Sequence, residues 1–229
     1  MLYTEHALQI DRILYYAGGK LVKAYSKLMF RMSVRSRFPI PKGAKIIVAN
    51  HPTTSDPFVL TSISNGQAAV LIKDVLFNVP VFGKYLHMAG HIPVSAGRGK
   101  EAFEKALMLL KKNITVIIFI EGDLSKFIHK IGKPKTGAVR LAIASGKPII
   151  PIGISVKRQN IKSIRSIIKG ACELGKWYLK GPYALTIGKP INLGKMAGGR
   201  IRIKKLSNRL RERISGLEKE GALRLNLKT

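Results

Sequence analysis

In the stretch NHPTTSDP, residues 50–57, an imidazole and a carboxylate stand five positions apart, His51 and Asp56. A histidine whose Nδ1–H is held by a carboxylate keeps Nε2 free to take a proton from a hydroxyl group, which is general-base chemistry. On one continuous helix five residues turn about 500°, so the two side chains would diverge by about 140°. They meet if His51 ends a strand, residues 52–55 turn, and Asp56-Pro57 opens a helix. Asp at the cap followed by Pro at the first helical position suits such a start. The competing reading is that Asp56 only caps its helix and His51 fills the turn.

A second polar cluster follows the apolar run of VIIFIEGDLS, residues 116–125, where Glu121 and Gly122 stand at the end of an expected strand. A third follows HIPV, where SAGRGK offers Arg98 and Lys100 to an anion, or serves as a plain strand–helix connector. In open α/β sheets ligand sites gather outside the carboxyl ends of the strands. All three clusters are therefore expected on one edge. Other reactive side chains carry less. Cys172 is a lone thiol, His6, His87, His91 and His129 have no partner at an informative spacing, and Ser55 and Ser125 lack a nucleophile elbow.

The elements that must position these residues alternate. KIIVAN, AAVLI, HIPV, ITVIIFI, KPIIPIGISV and a later YALTIGKPI read as strands. DPFVLTSIS, VPVFGKYLHMAG, GKEAFEKALMLLKKN and TGAVRLAIASG between them read as helices, and a basic helix is expected from Gly199 to about Arg224. The pattern predicts an α/β fold with a largely parallel sheet flanked by helices. Ahead of it, residues 4–17 and 19–35 read as two amphipathic helices broken at Gly18-Gly19. Leu21, Val22, Tyr25, Leu28, Met29 and Met32 form an apolar stripe in the second, opposite Lys20, Lys23, Lys27, Arg31 and Arg35. Such a helix lies in a membrane interface or docks on the core. The division expected is a helical pair over 1–36 and an α/β domain over 37–229.

The formal net charge of +29 is unevenly spread: residues 51–100 carry 4 Lys/Arg against 2 Asp/Glu, whereas residues 157–229 carry 19 against 4. An excess of this size suits nucleic acid, an anionic membrane, or acidic small molecules and carrier proteins. No nucleic-acid recognition motif accompanies it, and the charge clusters at the chain's ends, so nucleic acid is not the expected partner. No run reaches the roughly 18 apolar residues of a spanning helix. No signal peptide is expected, a single cysteine excludes an internal disulfide framework, and no zinc-ligand spacing occurs.

With those residues in view, the chain resembles the glycerolipid, or lysophospholipid, acyltransferase superfamily. NHPTTSD resembles its His-x4-Asp block, GHIPVSAGRG its second, FIEGDLS its Phe-Pro-Glu-Gly-Thr-Arg-Ser block and IIPIGI its fourth, all in family order within residues 50–154. The resemblance implies direct acyl transfer from acyl-CoA or acyl-acyl-carrier-protein to the hydroxyl of a lysophospholipid. It points to 1-acyl-glycerol-3-phosphate as acceptor, giving phosphatidic acid, with no cofactor. His51 would be the base and Asp56 its orienting partner. Glu121, Gly122 and Ser125 would belong to the acceptor block, and Pro151 would lie on the acyl-donor side. Family members also bind the membrane surface through an N-terminal helical pair, which implies a peripheral protein on an anionic, cytoplasmic membrane face. Departures fall in the third block, where Ile120, Asp123 and Leu124 replace Pro, Thr and Arg, and in the second, where Ala96 replaces Arg. A phosphate-bearing acceptor then needs other cations: Arg98 first, for its planar fork, with Lys126, Lys130, Lys133, Lys135 and Arg140 in reserve. The rival acceptors are another lysolipid, an ether-lipid glycerol or a glycolipid.

Overall fold

Uncharged runs rich in Ile and Val, with both faces covered, are what a parallel sheet requires of its central strands. The computed structural model describes residues 5–64, 66–194 and 199–226, with side chains from residue 17 onward. The described residues form nine strands: β1 (Phe30–Ser36), β2 (Ile46–Ala49), β3 (Ala68–Lys73), β4 (Ile92–Val94), β5 (Thr115–Phe119), β6 (Ile149–Val156), β7 (Ile161–Ile168), β8 (Ala171–Tyr178) and β9 (Gly181–Ile187). Seven of them form one sheet in the order β1-β9-β6-β2-β5-β3-β4. Every neighbouring pair in it is parallel except β6–β9. β7 and β8 form a separate antiparallel ribbon.

The helices are α1 (Glu5–Met29), α2 (Asp56–Ile63), α3 (Phe82–Met88), α4 (Gly99–Lys111), α5 (Gly137–Ser145) and α6 (Arg200–Arg224). Alternation along the strands divides the core. Ile46, Val48, Val116 and Ile118 pack against α4, α5 and α6, whereas Ile47, Ala49, Ile117 and Phe119 share the opposite face with α2 and the start of β1. α6 lies close against β6 because Gly153 has no side chain: a Cβ there would stand 2.2 Å from the Glu218 backbone nitrogen.

The expected strands form, and three departures have physical causes. α1 runs unbroken through Gly18-Gly19, since each glycine costs a helix only about 1 kcal/mol and Gly18 gives the Tyr85 ring room, 3.3 Å from where a Cβ would sit. The expected helical pair is thus one helix, and residues 30–35, expected as the end of its second member, fall in strand β1, which pairs with β9. The helical stripe is also split. Val22, Ser26 and Met29 turn inward, while Leu21 and Leu28 are 73% and 84% exposed. The β7–β8 ribbon gave no signal because residues 162–167 are all exposed, so no core face imposed a period on them.

Candidate active site

β2 and β5 are adjacent at the middle of the sheet, so the loops leaving their carboxyl ends meet. Asn50 extends β2 by one step: its side chain donates to Ile154 O at 2.9 Å and accepts from Ile154 N at 2.7 Å, standing in for a strand partner. His51 follows, and the chain turns through residues 52–55 into α2. The cap of α2 is Ser55 rather than Asp56, and Asp56 is the first helical residue. The Ser55 hydroxyl exchanges bonds with the Tyr178 backbone, at 2.9 and 3.1 Å. Asp56 is therefore released from capping.

Its carboxylate is fully buried and takes four donors. His51 Nδ1 donates to Oδ2 at 2.9 Å, and so does Thr53 N–H at 2.8 Å. The Thr53 and Tyr183 hydroxyls donate to Oδ1 at 2.5 and 2.7 Å. A carboxylate only accepts, so this contact puts the ring proton on Nδ1 and leaves Nε2 as the acceptor. Burial, and next the charge of Asp56, push the Tyr183 hydroxyl well above the usual tyrosine range, which keeps it a donor. The His51 ring lies flat on Phe119, with centroids 3.6 Å apart and planes 10° apart. Its position and its tilt are thus both fixed.

The loop after β5 is fastened to the same place. Ser125 N–H donates to His51 O at 2.8 Å, and the Ser125 hydroxyl donates to Glu121 Oε1. The other Glu121 oxygen accepts Gly132 N–H at 2.7 Å. Gly122 sits at φ +73°, a turn conformation that glycine adopts without strain. Lys176 of β8 closes the arrangement. Its Nζ donates to Ser125 O at 2.6 Å, and its backbone pairs with Thr54. Further out, His129 Nδ1 bonds the buried Glu218 carboxylate of α6, whose pKa burial raises above the ordinary carboxylate value.

The structure thus brings together His51, Asp56, Glu121, Gly122 and Ser125. Lys126 is exposed beside them, and its carbonyl accepts from Lys176 Nζ at 3.4 Å. Pro151 is buried in β6 opposite Val48, ahead of the level of His51. Arg98 lies elsewhere. It follows β4, an edge strand of the sheet, is 66% exposed, and bonds Glu101 at 3.0 and 2.8 Å. Asp123, an apparent liability for an anionic ligand, is paired with Lys73 at 3.3 Å. Thr53 lay within the motif and was readable as a donor; Tyr183, Phe119 and Lys73 reach the site only through tertiary packing. Among the described residues no cluster of His, Cys, Asp or Glu is placed to hold a metal ion.

Three comparisons bear on this geometry. A family model described as Acyltransferase matches residues 31–155. Proteins called 1-acyl-sn-glycerol-3-phosphate acyltransferase are similar. The one from Pseudomonas aeruginosa is 30% identical over 126 residues, covering 53% of this chain and 48% of its own. That of Escherichia coli K12 is 28% identical over 140 residues, covering 58% and 57%. The chain spans about half the length of the curated relatives it matches. The crystal structure of the 1-acyl-sn-glycerophosphate (LPA) acyltransferase PlsC from Thermotoga maritima shares the fold, with a TM-score of 0.65 at 22% identity over 89% of this chain and 80% of that one. Since the matched segment exceeds half of the 229 residues and contains the His51–Asp56 pair, this chain belongs to the acyltransferase family.

Proposed function

We propose that this protein transfers a fatty acyl group from acyl-CoA or acyl-acyl-carrier-protein to the hydroxyl of a lysophospholipid, 1-acyl-glycerol-3-phosphate, giving phosphatidic acid. The carrying observation is the free Nε2 of a histidine whose other nitrogen is held by a buried, four-bonded carboxylate. Nε2 takes the acceptor's hydroxyl proton as its oxygen attacks the thioester carbonyl carbon. Asp56 stabilises the positive charge that arrives on the ring. The tetrahedral intermediate collapses with cleavage of the C–S bond, and the imidazolium returns its proton to the leaving thiolate. The products are an ester and a free thiol, with no acyl-enzyme.

Backbone N–H groups of the loop after β5, at the carboxyl end of the strand beside β2, are the donors this reading assigns to the oxyanion. Those of Gly122, Leu124 and Ser125 are already bonded within the protein, which leaves the N–H groups of Glu121, Asp123 and Lys126 as the candidates in this stretch. The N-terminal segment, residues 1–36, is the membrane-binding element in this reading. Exposed Leu21 and Leu28, with basic neighbours, support a peripheral seat on an anionic cytoplasmic membrane face. No described helix is long and apolar enough to cross a bilayer.

The reading is tested by incubating the purified protein with labelled oleoyl-CoA and a panel of lyso-acceptors. Labelled phosphatidic acid, with one free thiol released per product, is the expected result. Thioester hydrolysis with no acylated acceptor would overturn it. A second reading, a neutral alcohol as acceptor, is favoured by Leu124 standing where the family carries arginine. Equal use of lysophosphatidic acid and monoacylglycerol would select it.

A further inference from the structure

The β7–β8 ribbon is built unlike the rest of the fold. It stands outside the seven-stranded sheet, and its two-residue turn, Lys169-Gly170, has φ of +46° and +80°, the conformation that closes a tight hairpin. A lone two-stranded hairpin is only marginally stable in water. This one nevertheless exposes large apolar side chains on both faces. Ile167, 80% exposed, and Leu174, 45% exposed, share one face, because their cross-strand partners are Cys172 and Arg165. Ile164, 50% exposed, lies on the other, opposite Gly175.

The charge around these residues has one sign. Between residues 157 and 180 there are seven Lys/Arg and one acid, Glu173. That acid is taken by Lys73 at 3.1 Å. Lys162, Arg165 and Lys169 remain exposed among the isoleucines. The base of the ribbon grips the catalytic turn through Thr54 and Ser55, and Lys176 reaches Ser125. Whatever seats the ribbon is therefore held at the mouth beside His51.

We propose that the β7–β8 hairpin is a membrane-docking ribbon whose occupant is the anionic surface of a lipid bilayer. A flat protein partner covers one face of a ribbon, whereas a headgroup layer surrounds both. Ile164, Ile167 and Leu174 enter the acyl boundary. The long stems of Arg165 and Lys169 keep their charged ends at the level of the lipid phosphates. The hairpin is a contact separate from α1, and it presents the site to the layer in which a lipid acceptor of the proposed reaction resides.

The only tryptophan of the chain, Trp177, lies on the ribbon itself and reports on it alone. The experiment mixes the full chain with phosphatidylcholine vesicles, with or without phosphatidylglycerol, and reads sedimentation and Trp177 emission. With anionic vesicles the emission shifts to the blue and brominated acyl chains quench it. The double variant Ile164→Ser/Ile167→Ser lowers partitioning about tenfold. Lys162→Glu/Arg165→Glu lowers it at low salt chiefly, since screening removes that contribution. Both pairs are exposed, and circular dichroism checks that the variants fold. Unchanged partitioning in both, or Trp177 emission unmoved on vesicle-bound protein, overturns the proposal. So does lipid-free self-association through the ribbon, or binding to nucleic acid that withstands high salt while vesicle binding does not. Partitioning requires no turnover: a vesicle-bound but inactive protein sinks the acyltransferase reading and leaves the ribbon standing, and an active protein with an unbound ribbon does the reverse.

Discussion

Two polar loops leave the same edge of the sheet, one after β2 and one after β4, and both carry residues suited to chemistry. The first runs from the sheet's centre, between β5 and β6, and other elements converge on it: β9 donates to Asp56 through Tyr183, and β8 holds the turn through Ser55. The second leaves an edge strand, paired with β3 on one side, and its arginine pairs with Glu101, three residues along the chain in α4. Residue type does not separate them. Strand order does, because a central strand receives contacts from both sides and an edge strand from one.

The sharpest way to break that contrast is to remove the proposed base. His51→Ala is expected to lower kcat/KM for acyl transfer by about a thousandfold or more. The fold should survive, because His51 stands in a loop outside the packed core and Asp56 keeps three of its four donors without it. Near-native turnover by a folded His51→Ala protein would end the catalytic reading. Asp56→Asn is the next step down, at about a hundredfold. It removes the charge that meets the imidazolium, and its amide NH2 would face donors where a carboxylate had accepted them. Tyr183→Phe tests whether the convergence itself matters. It deletes one of four donors to Asp56 without opening a cavity, and a loss of about tenfold in kcat with KM unchanged is expected. An equal rise in KM and no change in kcat would mean that Tyr183 only packs.

How far this centre could be read from residues alone depends on range. His51, Asp56 and Glu121 could be singled out because the first two are five apart and all follow apolar strands, but spacing left capping open as the role of Asp56, and the resemblance of the motif blocks was what favoured the pair. The α/β class was readable because Ile-Val runs alternate with helical ones. Tyr183 was not, since its contact with Asp56 spans 127 residues and needs β9 to lie beside β6. Strand β1 was hidden for a related reason: Phe30–Ser36 continues a helical stripe in the sequence, and only the ladder offered by β9 makes it a strand. Arg98 was singled out for its chemistry, and strand order, which no spacing encodes, sent it to the rim.

The edge has a titrating group of its own, which sharpens the comparison through stability. His91 leads into β4, and its Nδ1 accepts Val70 N–H at 3.2 Å, a role open only to the neutral ring. Burial pushes its pKa down to about 4. The folded state therefore binds fewer protons than the unfolded chain between that value and the ordinary histidine pKa of about 6.5. Stability is full above about 6.5 and falls as pH drops towards 4, with a limit on the order of 3 kcal/mol. Thermal melts from neutral to acid pH should show this loss, and His91→Gln should flatten the slope. An unchanged slope in that variant would mean that His91 does not contribute.

The smallest effect is expected where the two loops differ most. Arg98 pairs with Glu101 in solvent, where an exposed ion pair contributes at most about 1 kcal/mol, and β5 and β3 separate its strand from β2. To reach a phosphate at His51 it would have to leave Glu101 and cross the ends of those strands. Lys73 starts closer: it ends β3, next to β5, and already holds Asp123 of the Glu121–Ser125 loop at 3.3 Å. Arg98→Ala is therefore expected to leave the KM for lysophosphatidic acid within about twofold, whereas Lys73→Ala should raise it by about tenfold, as loss of a charge-assisted contact does. Monoacylglycerol serves as the control, because an acceptor without phosphate should respond to neither change. A large rise in KM with Arg98→Ala, confined to the phosphorylated acceptor, would show that the β4 loop closes over the site when substrate binds, and the division between centre and rim would then hold only for the empty enzyme.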